Sequence, residues 1–222
     1  MSCAAIIVAA GEGRRVGFDK LRAPLLGKPV LQWTLDAFLR CPSIDTIAIV
    51  APAERFACLG FDASRTVLRV DGGTERFHSV ANGLEALSPA PGLVAIHDGA
   101  RPCVAPEQIE SCIASARQSG AAALAHRITE TLQLVRPDGL VHRAVDRERL
   151  RAMETPQVFR YAIARQACQH VLEHGLHVTD DVSAATAIGV ATQLVENPFP
   201  NPKITFPRDL AVAEALLRAR SP

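Results

Sequence analysis

Short apolar runs alternate along the chain with stretches in which apolar residues recur at helical spacing. The runs at 4–9, 46–51, 66–70, 93–97 and 121–125 predict strands. Between them, Leu31, Leu35 and Phe38 follow Pro29, which stands as the first residue of a helix. Phe77, Val80, Leu84 and Leu87 repeat the spacing, and so do Ile109, Cys112, Ile113 and Ala116 after Pro106. Strands alternating with helices predict an α/β fold, a mostly parallel sheet with helices on both faces. A helix-rich stretch at 158–188, a last strand near 192–195 and a helix from Pro207 to about 219 complete the reading. From about 128 to 146 the pattern changes to short alternating runs, Thr131–Val135 and Gly139–His142, around the turn Arg136-Pro137-Asp138-Gly139. That is a hairpin, and in a parallel α/β chain it predicts an arm leaving the sheet toward a partner subunit. With no internal repeat or linker, residues 1–222 read as one domain.

Composition narrows the function more than the fold. A hydrophobic share of 48% with 21% charged residues excludes disorder. A net charge of +1 excludes a broad nucleic-acid or membrane surface, so any affinity for phosphate is local. Cysteines 3, 41, 58, 103, 112 and 168 show no paired spacing and suit reduced, buried thiols. No basic leader and no span-length apolar run is seen, and the expectation is a cytoplasmic protein.

Candidate chemistry follows the predicted strands. After the first comes Ala9-Ala10-Gly11-Glu12-Gly13-Arg14-Arg15. Its glycines let backbone N–H groups approach an anion, and its arginines offer charged forks to phosphate. A tight strand-to-helix turn with solvated arginines is the plainer alternative. The segment is neither a P-loop nor G-x-G-x-x-G, because Val16 stands where a third glycine belongs. After 66–70 comes Asp71-Gly72-Gly73-Thr74-Glu75-Arg76, either a ligand loop with Thr74 capping the next helix or simply a turn. After 93–97 comes His97-Asp98-Gly99-Ala100-Arg101-Pro102. Asp98 there suits Mg²⁺ and Arg101 an anion, or the segment is a turn; His97 reads as strand-end packing. Lys20 and Lys28 flank a loop from which a lysine could reach a bound triphosphate, or stand merely solvated. His170, His174 and His177 read as a solvated face.

Taken in order, these segments assemble. With Gly27-Lys28-Pro29-Val30-Leu31, Thr155-Pro156-Gln157, Thr179-Asp180-Asp181-Val182-Ser183, Lys203-Ile204-Thr205 and Asp209-Leu210, the chain resembles the 2-C-methyl-D-erythritol 4-phosphate cytidylyltransferase family over nearly its whole length. The resemblance implies a Rossmann-like fold of the nucleotide-diphospho-sugar transferase type. It implies that the substrate's phosphate attacks the α-phosphorus of CTP, with Mg²⁺ and cations neutralising charge. By position, Arg15 and Lys20 would stabilise the transition state. Ala9, Ala10, Gly11, Glu12 and Gly13 would wrap the triphosphate, with Gly73, Thr74, Arg76 and Ser79 also at the nucleotide. Asp98 would place Mg²⁺ and contact the erythritol with Arg101, Thr155 and Lys203. Thr131 and Arg147 would reach the neighbouring subunit's substrate, making a homodimer with shared sites.

Three departures stand out. Asp19-Lys20-Leu21-Arg22 replaces the family's proline, lysine, glutamine and aromatic, which sets Arg22 in competition with Lys20. Asp98-Gly99-Ala100-Arg101 stands for Asp-Ala-Ala-Arg, and Glu130-Thr131 for the arm's Asp-Thr. Transfer to another polyol phosphate, such as ribitol 5-phosphate, is the nearest alternative; a non-catalytic nucleotide-binding regulatory domain is another, and a nicotinamide-dependent oxidoreductase the weakest.

Overall fold

The computed structural model describes residues 1–11, 19–62 and 65–220. Its elements run β1 (Cys3–Val8), β2 (Pro24–Leu25), β3 (Lys28–Pro29), α1 (Val30–Leu39), β4 (Ile44–Val50), α2 (Ala53–Phe56), β5 (Thr66–Val70), α3 (Arg76–Ala86) and β6 (Leu93–Asp98). They continue α4 (Pro106–Ser119), β7 (Ala121–Arg127), β8 (Leu132–Val135), β9 (Val141–Val145), β10 (Arg151–Arg160), α5 (Tyr161–His174), α6 (Asp181–Ala187), β11 (Gln193–Glu196) and α7 (Arg208–Arg220). Seven strands form one sheet in the order β11-β7-β10-β6-β1-β4-β5. Neighbours are parallel except β10, which runs antiparallel to both β6 and β7.

Alternation along β1 shows how the core divides. Cys3, Ala5 and Ile7 pack on one face with Leu35, Phe38 and Ile113 from α1 and α4. Ala4 and Ile6 pack on the other with Val80 and Leu84 of α3 and Ala164 of α5. Each fully buried Ile or Leu stabilises this arrangement by about 1.5–3 kcal/mol relative to exposure. Gly83 lets α3 sit directly on β1, since a Cβ there would lie 2.7 Å from Ile6 Cγ2. Close seating of α3 fixes where its first residue, Arg76, projects.

The predicted α/β architecture is present, with three local corrections. The stretch from 158 opens not with helix but with the end of β10, whose Gln157, Val158, Phe159 and Arg160 pair with β6. Pairing with β7 shifts register between Met153 and Gln157, spanning Pro156, which has no N–H for a ladder. Helix α3 starts one residue later than Thr74 would cap: Glu75 is the cap position, and its N–H donates to His78 Nδ1 at 3.3 Å. Thr74 Oγ1 instead meets His78 Nδ1 at 3.0 Å. Pro29 lies in β3 opposite Pro24, and α1 begins with Val30.

The hairpin of β8 and β9 forms a separate two-stranded sheet. All six cysteines are free, and only Cys58 is exposed. Burial pushes the Cys103 thiol up to about 11, in keeping with packing rather than chemistry. Among the described residues no helix is long and apolar enough to cross a membrane.

Candidate active site

Adjacent strands β1 and β6 lead away in opposite directions across the sheet: β4 and β5 lie beyond β1, β10 and β7 beyond β6. Loops leaving their carboxyl ends therefore diverge and leave a crevice where ligands bind in such sheets. Val8 is in register with Asp98, so the first glycine loop and the Asp98 segment start side by side. Ala9 N–H donates to Val50 O at 2.8 Å. Among the described residues, the N–H groups of Ala10 and Gly11 have no backbone partner, and such loop N–H groups are the donors an anion takes.

The loop after β5 packs against this backbone. A Cβ on Gly72 would fall 2.2 Å from Ala10 Cβ, so only glycine permits that approach. Ser79 holds the loop's shape from beneath: buried, its hydroxyl accepts from Gly73 N–H at 3.1 Å and donates to Glu75 O at 3.4 Å. Gly73 and Thr74 themselves are exposed.

Three cations surround Asp98. Arg76 Nε donates to Oδ1 at 3.1 Å, Lys203 Nζ to Oδ2 at 2.9 Å, and Arg101 Nε lies 3.5 Å from Oδ2. Burial would raise the Asp98 carboxyl, but Arg76, Lys203 and Arg101 outweigh it and hold it well below the usual carboxylate range. Arg76 also donates through Nη2 to Asp181 at 2.8 Å. Burial opposes its charge, yet the two carboxylates raise it above the ordinary guanidinium value. Arg76 is thus fixed between two acids, organising the crevice.

His97 ties this cluster to its support. It is fully buried, and burial pushes it down to about 3, so the ring is neutral. With Nε2–H donating to Arg101 O (3.3 Å), Nδ1 accepts from the Thr155 hydroxyl (3.0 Å). Thr155 Oγ1 accepts in turn from Asp98 N–H at 3.1 Å. Arg101 Nη1 donates to Asn201 O at 2.8 Å, while its Nε is buried without a hydrogen-bond partner. Gln157 Oε1 accepts from the N–H groups of Asp181 and Val182, at 2.9 and 3.0 Å, and so places Asp181 against Arg76.

Asp98, Arg101, Thr155, Lys203 and Arg76 are therefore one cluster, beside Ala9, Ala10, Gly11, Gly73 and the buried Ser79. Lys20 joins from the far side, its Nζ donating to Ile204 O at 2.8 Å, next to Lys203. Arg22, its competitor in sequence, is exposed. Lys28 is engaged elsewhere, paired with Asp36 and lying 3.9 Å from the Trp33 ring centre. Glu12, Gly13 and Arg15 lie outside the described residues. Thr131 and Arg147 sit exposed on the arm and its root, with Arg147 Nη1 donating to Thr129 O. Within one chain they are not joined to the Asp98 cluster by any described contact. His170 and His174 stack at 4.1 Å on an exposed face.

Sequence reasoning read His97 only as strand-end packing and assigned no role to Gln157, Asp181 or Arg55. For the first three, the family-like segments contained the residues, but only the fold shows what they hold. Among the described residues no three His, Cys, Asp or Glu side chains form a metal cage. Asp98 is a single ionised carboxylate, the donor type that Mg²⁺ takes together with substrate phosphates. It would hold the ion by releasing one of its cationic partners.

The family model for IspD, 2-C-methyl-D-erythritol 4-phosphate cytidylyltransferase, matches residues 3–219. The chain belongs to this family. A 2-C-methyl-D-erythritol 4-phosphate cytidylyltransferase of Desulforamulus reducens is 39% identical, over 98% of this chain and 96% of its own length. One from Dehalococcoides mccartyi is 39% identical over 96% of this chain and 95% of its own. The crystal structure of 4-diphosphocytidyl-2C-methyl-D-erythritol synthase from Anaerococcus prevotii superposes with a TM-score of 0.87 at 28% identity, covering 98% of this chain and 96% of that one. The corresponding cytidylyltransferase from Thermus thermophilus gives 0.81 at 32% identity, over 98% and 100%. Membership makes this chain a nucleotidyltransferase.

Proposed function

We propose that this cytidylyltransferase moves the cytidylyl group of CTP onto the phosphate of 2-C-methyl-D-erythritol 4-phosphate, releasing pyrophosphate and 4-diphosphocytidyl-2-C-methyl-D-erythritol for non-mevalonate isoprenoid synthesis. The observation that carries the reading is the ring of Arg76, Arg101 and Lys203 around ionised Asp98, beside the Ala10 and Gly11 N–H groups, which have no backbone partner among the described residues. A phosphate monoester is already an anion near neutral pH, so the reaction needs alignment of two anions and relief of charge rather than a base. A site rich in guanidinium, ammonium and backbone donors answers that need.

In this reading the 9–13 backbone cradles the triphosphate, and Arg15 and Lys20 meet the charge that grows at the α-phosphorus. The exposed Gly73–Thr74 backbone reads the cytosine, with Ser79 holding it in shape from below. Asp98, Arg101, Thr155 and Lys203 receive the sugar phosphate. Thr131 and Arg147 of a second copy complete that end, in a homodimer with shared sites. Mg²⁺, arriving with the nucleotide and held by Asp98, supplies charge neutralisation between the phosphates. Buried free thiols fit a reducing compartment, and we place the enzyme in the cytoplasm.

The test is turnover of purified protein with CTP and Mg²⁺, offered either methylerythritol 4-phosphate or ribitol 5-phosphate, with pyrophosphate as readout. Release with the methylerythritol compound at far the higher kcat/KM is expected. Turnover of ribitol phosphate alone would replace the acceptor named here. CTP binding without pyrophosphate from either would favour a regulatory domain.

A further inference from the structure

We propose that Arg55 is a positioning residue for the phosphate-binding end of the site. Nothing in its surroundings in sequence marks it: it lies on the one-turn helix α2, after β4, remote from every loop singled out for chemistry. Yet its guanidinium is buried, with 8% of the side chain exposed. A buried guanidinium requires partners for its donors, and here they come from both ends of one functional segment. Nη1 donates to Ala9 O and lies 3.5 Å from Gly11 O, where the chain leaves β1. Nε and Nη2 grip Asp19 Oδ2 at 3.1 and 3.0 Å.

Asp19 in turn organises the turn that carries Lys20. Its other carboxylate oxygen accepts from Leu21 N–H at 3.1 Å, and its carbonyl accepts from Arg22 and Ala23 N–H, both at 3.1 Å. Arg55 therefore sets one spacing between two donor groups: the N–H groups of Ala10 and Gly11, and the ammonium of Lys20. With the Ala9 and Gly11 carbonyls drawn toward Arg55, the backbone beside them keeps one orientation, which preorganises its donors for an anion. Arg55 touches no substrate in this account. The role rests on the CTP reading above for its consequence in turnover, but its effect on phosphate binding is separable from that reading.

The experiment compares wild type with Arg55→Ala, Arg55→Lys and Asp19→Asn. Steady-state kinetics vary CTP and the sugar phosphate separately, and calorimetry follows binding of inorganic pyrophosphate, which needs neither the base nor the acceptor. Arg55→Ala is expected to raise the CTP KM and the pyrophosphate Kd about tenfold and to lower kcat, leaving the sugar phosphate KM within about twofold. Arg55→Lys should recover little, because a single ammonium cannot span two carbonyls and a carboxylate. Added guanidinium should restore part of the Arg55→Ala turnover. If Arg55→Ala fails to fold, Asp19→Asn decides, with about a threefold loss confined to CTP and pyrophosphate expected. Unchanged CTP and pyrophosphate affinity in a folded variant overturns the proposal, and so does an equal rise in both substrates' KM. A wild type that binds pyrophosphate but turns over neither polyol phosphate would instead overturn the proposed function, with the pyrophosphate comparison still deciding Arg55.

Discussion

Asp98 is the residue on which the crevice turns, because its carboxylate meets Arg76, Arg101 and Lys203, with only Arg76 shared with Asp181, in a place that admits little water. Its side chain is 11% exposed, so the charges are weakly screened. Asp98→Asn keeps the shape and leaves the cations facing one another. Such a loss costs about 3 kcal/mol for a buried pair, and that much destabilisation is expected at neutral pH along with a large fall in turnover. The pH dependence has a definite sign. A carboxyl held below its ordinary value in the folded chain stabilises above the unfolded value, and the benefit is lost as pH falls toward the folded one. The stability gap between wild type and Asp98→Asn, measured by urea denaturation, should stay level from pH 7 to 5. It should begin to close below about pH 4. A gap that is flat throughout, or absent at pH 7, would show that Asp98 is not carrying this charge. His97 contributes differently: neutral and buried, it passes hydrogen bonds between Arg101 and Thr155 and takes up no proton on mild acidification.

At the scale of elements, the site is a meeting of segments whose positions follow from close backbone approach. The loop after β5 reaches Ala10 only because residue 72 lacks a Cβ. Gly72→Ala would force the loop off Ala10, an overpacking worth about 1–3 kcal/mol. If the loop reads the nucleotide, that displacement should appear as a rise in CTP KM of about tenfold with the sugar phosphate KM little changed. Gly60→Ala, where a Cβ meets nothing within 4 Å, is the control. A Gly72→Ala enzyme with wild-type kinetics would remove the loop from the nucleotide site. What the sequence disclosed at this scale, and what it hid, divides along physical lines. Periodicity exposed β1, β4, β6 and β7 and the helices α1, α3 and α4, since each buries a face of its own, and it exposed the half-buried edge strand β5 through its run of apolar residues. The antiparallel β10 stayed hidden because Thr155-Pro156 breaks the run and its first half is polar, Glu154 and Thr155 being buried for their bonds rather than their hydrophobicity. The cluster of Asp98, Arg101, Thr155 and Lys203 was legible as motif segments. Arg55 was not, because its meaning lies wholly in contacts 36 to 46 residues away.

The whole molecule presents one feature that a single chain does not account for. The β8–β9 arm exposes Leu134, Val135, Leu140 and Val141, each between 43% and 62% accessible, and packs as its own two-stranded sheet. An isolated hairpin of two strands is marginal in water, and a contiguous exposed apolar set calls for a cover. In the homodimer proposed above a second copy of the chain would supply one, and Thr131 and Arg147 on the arm would then stand over the partner's Asp98 cluster. Two variants separate this arrangement from a self-contained site. Lys203→Ala damages the body of its own site, whereas Arg147→Ala damages the site its arm serves. Each homodimer should be poorly active. In a randomly exchanged equal mixture, half the dimers are mixed, and each holds one site with both residues intact. The mixture should therefore recover about a quarter of wild-type turnover, well above the mean of the two parents. Measuring pyrophosphate release before and after subunit exchange, with mixed dimers verified by differently tagged chains, gives the answer. Activity that stays at the parental mean in verified mixed dimers would place Arg147 over its own chain's substrate, and the arm would then be a purely structural clasp.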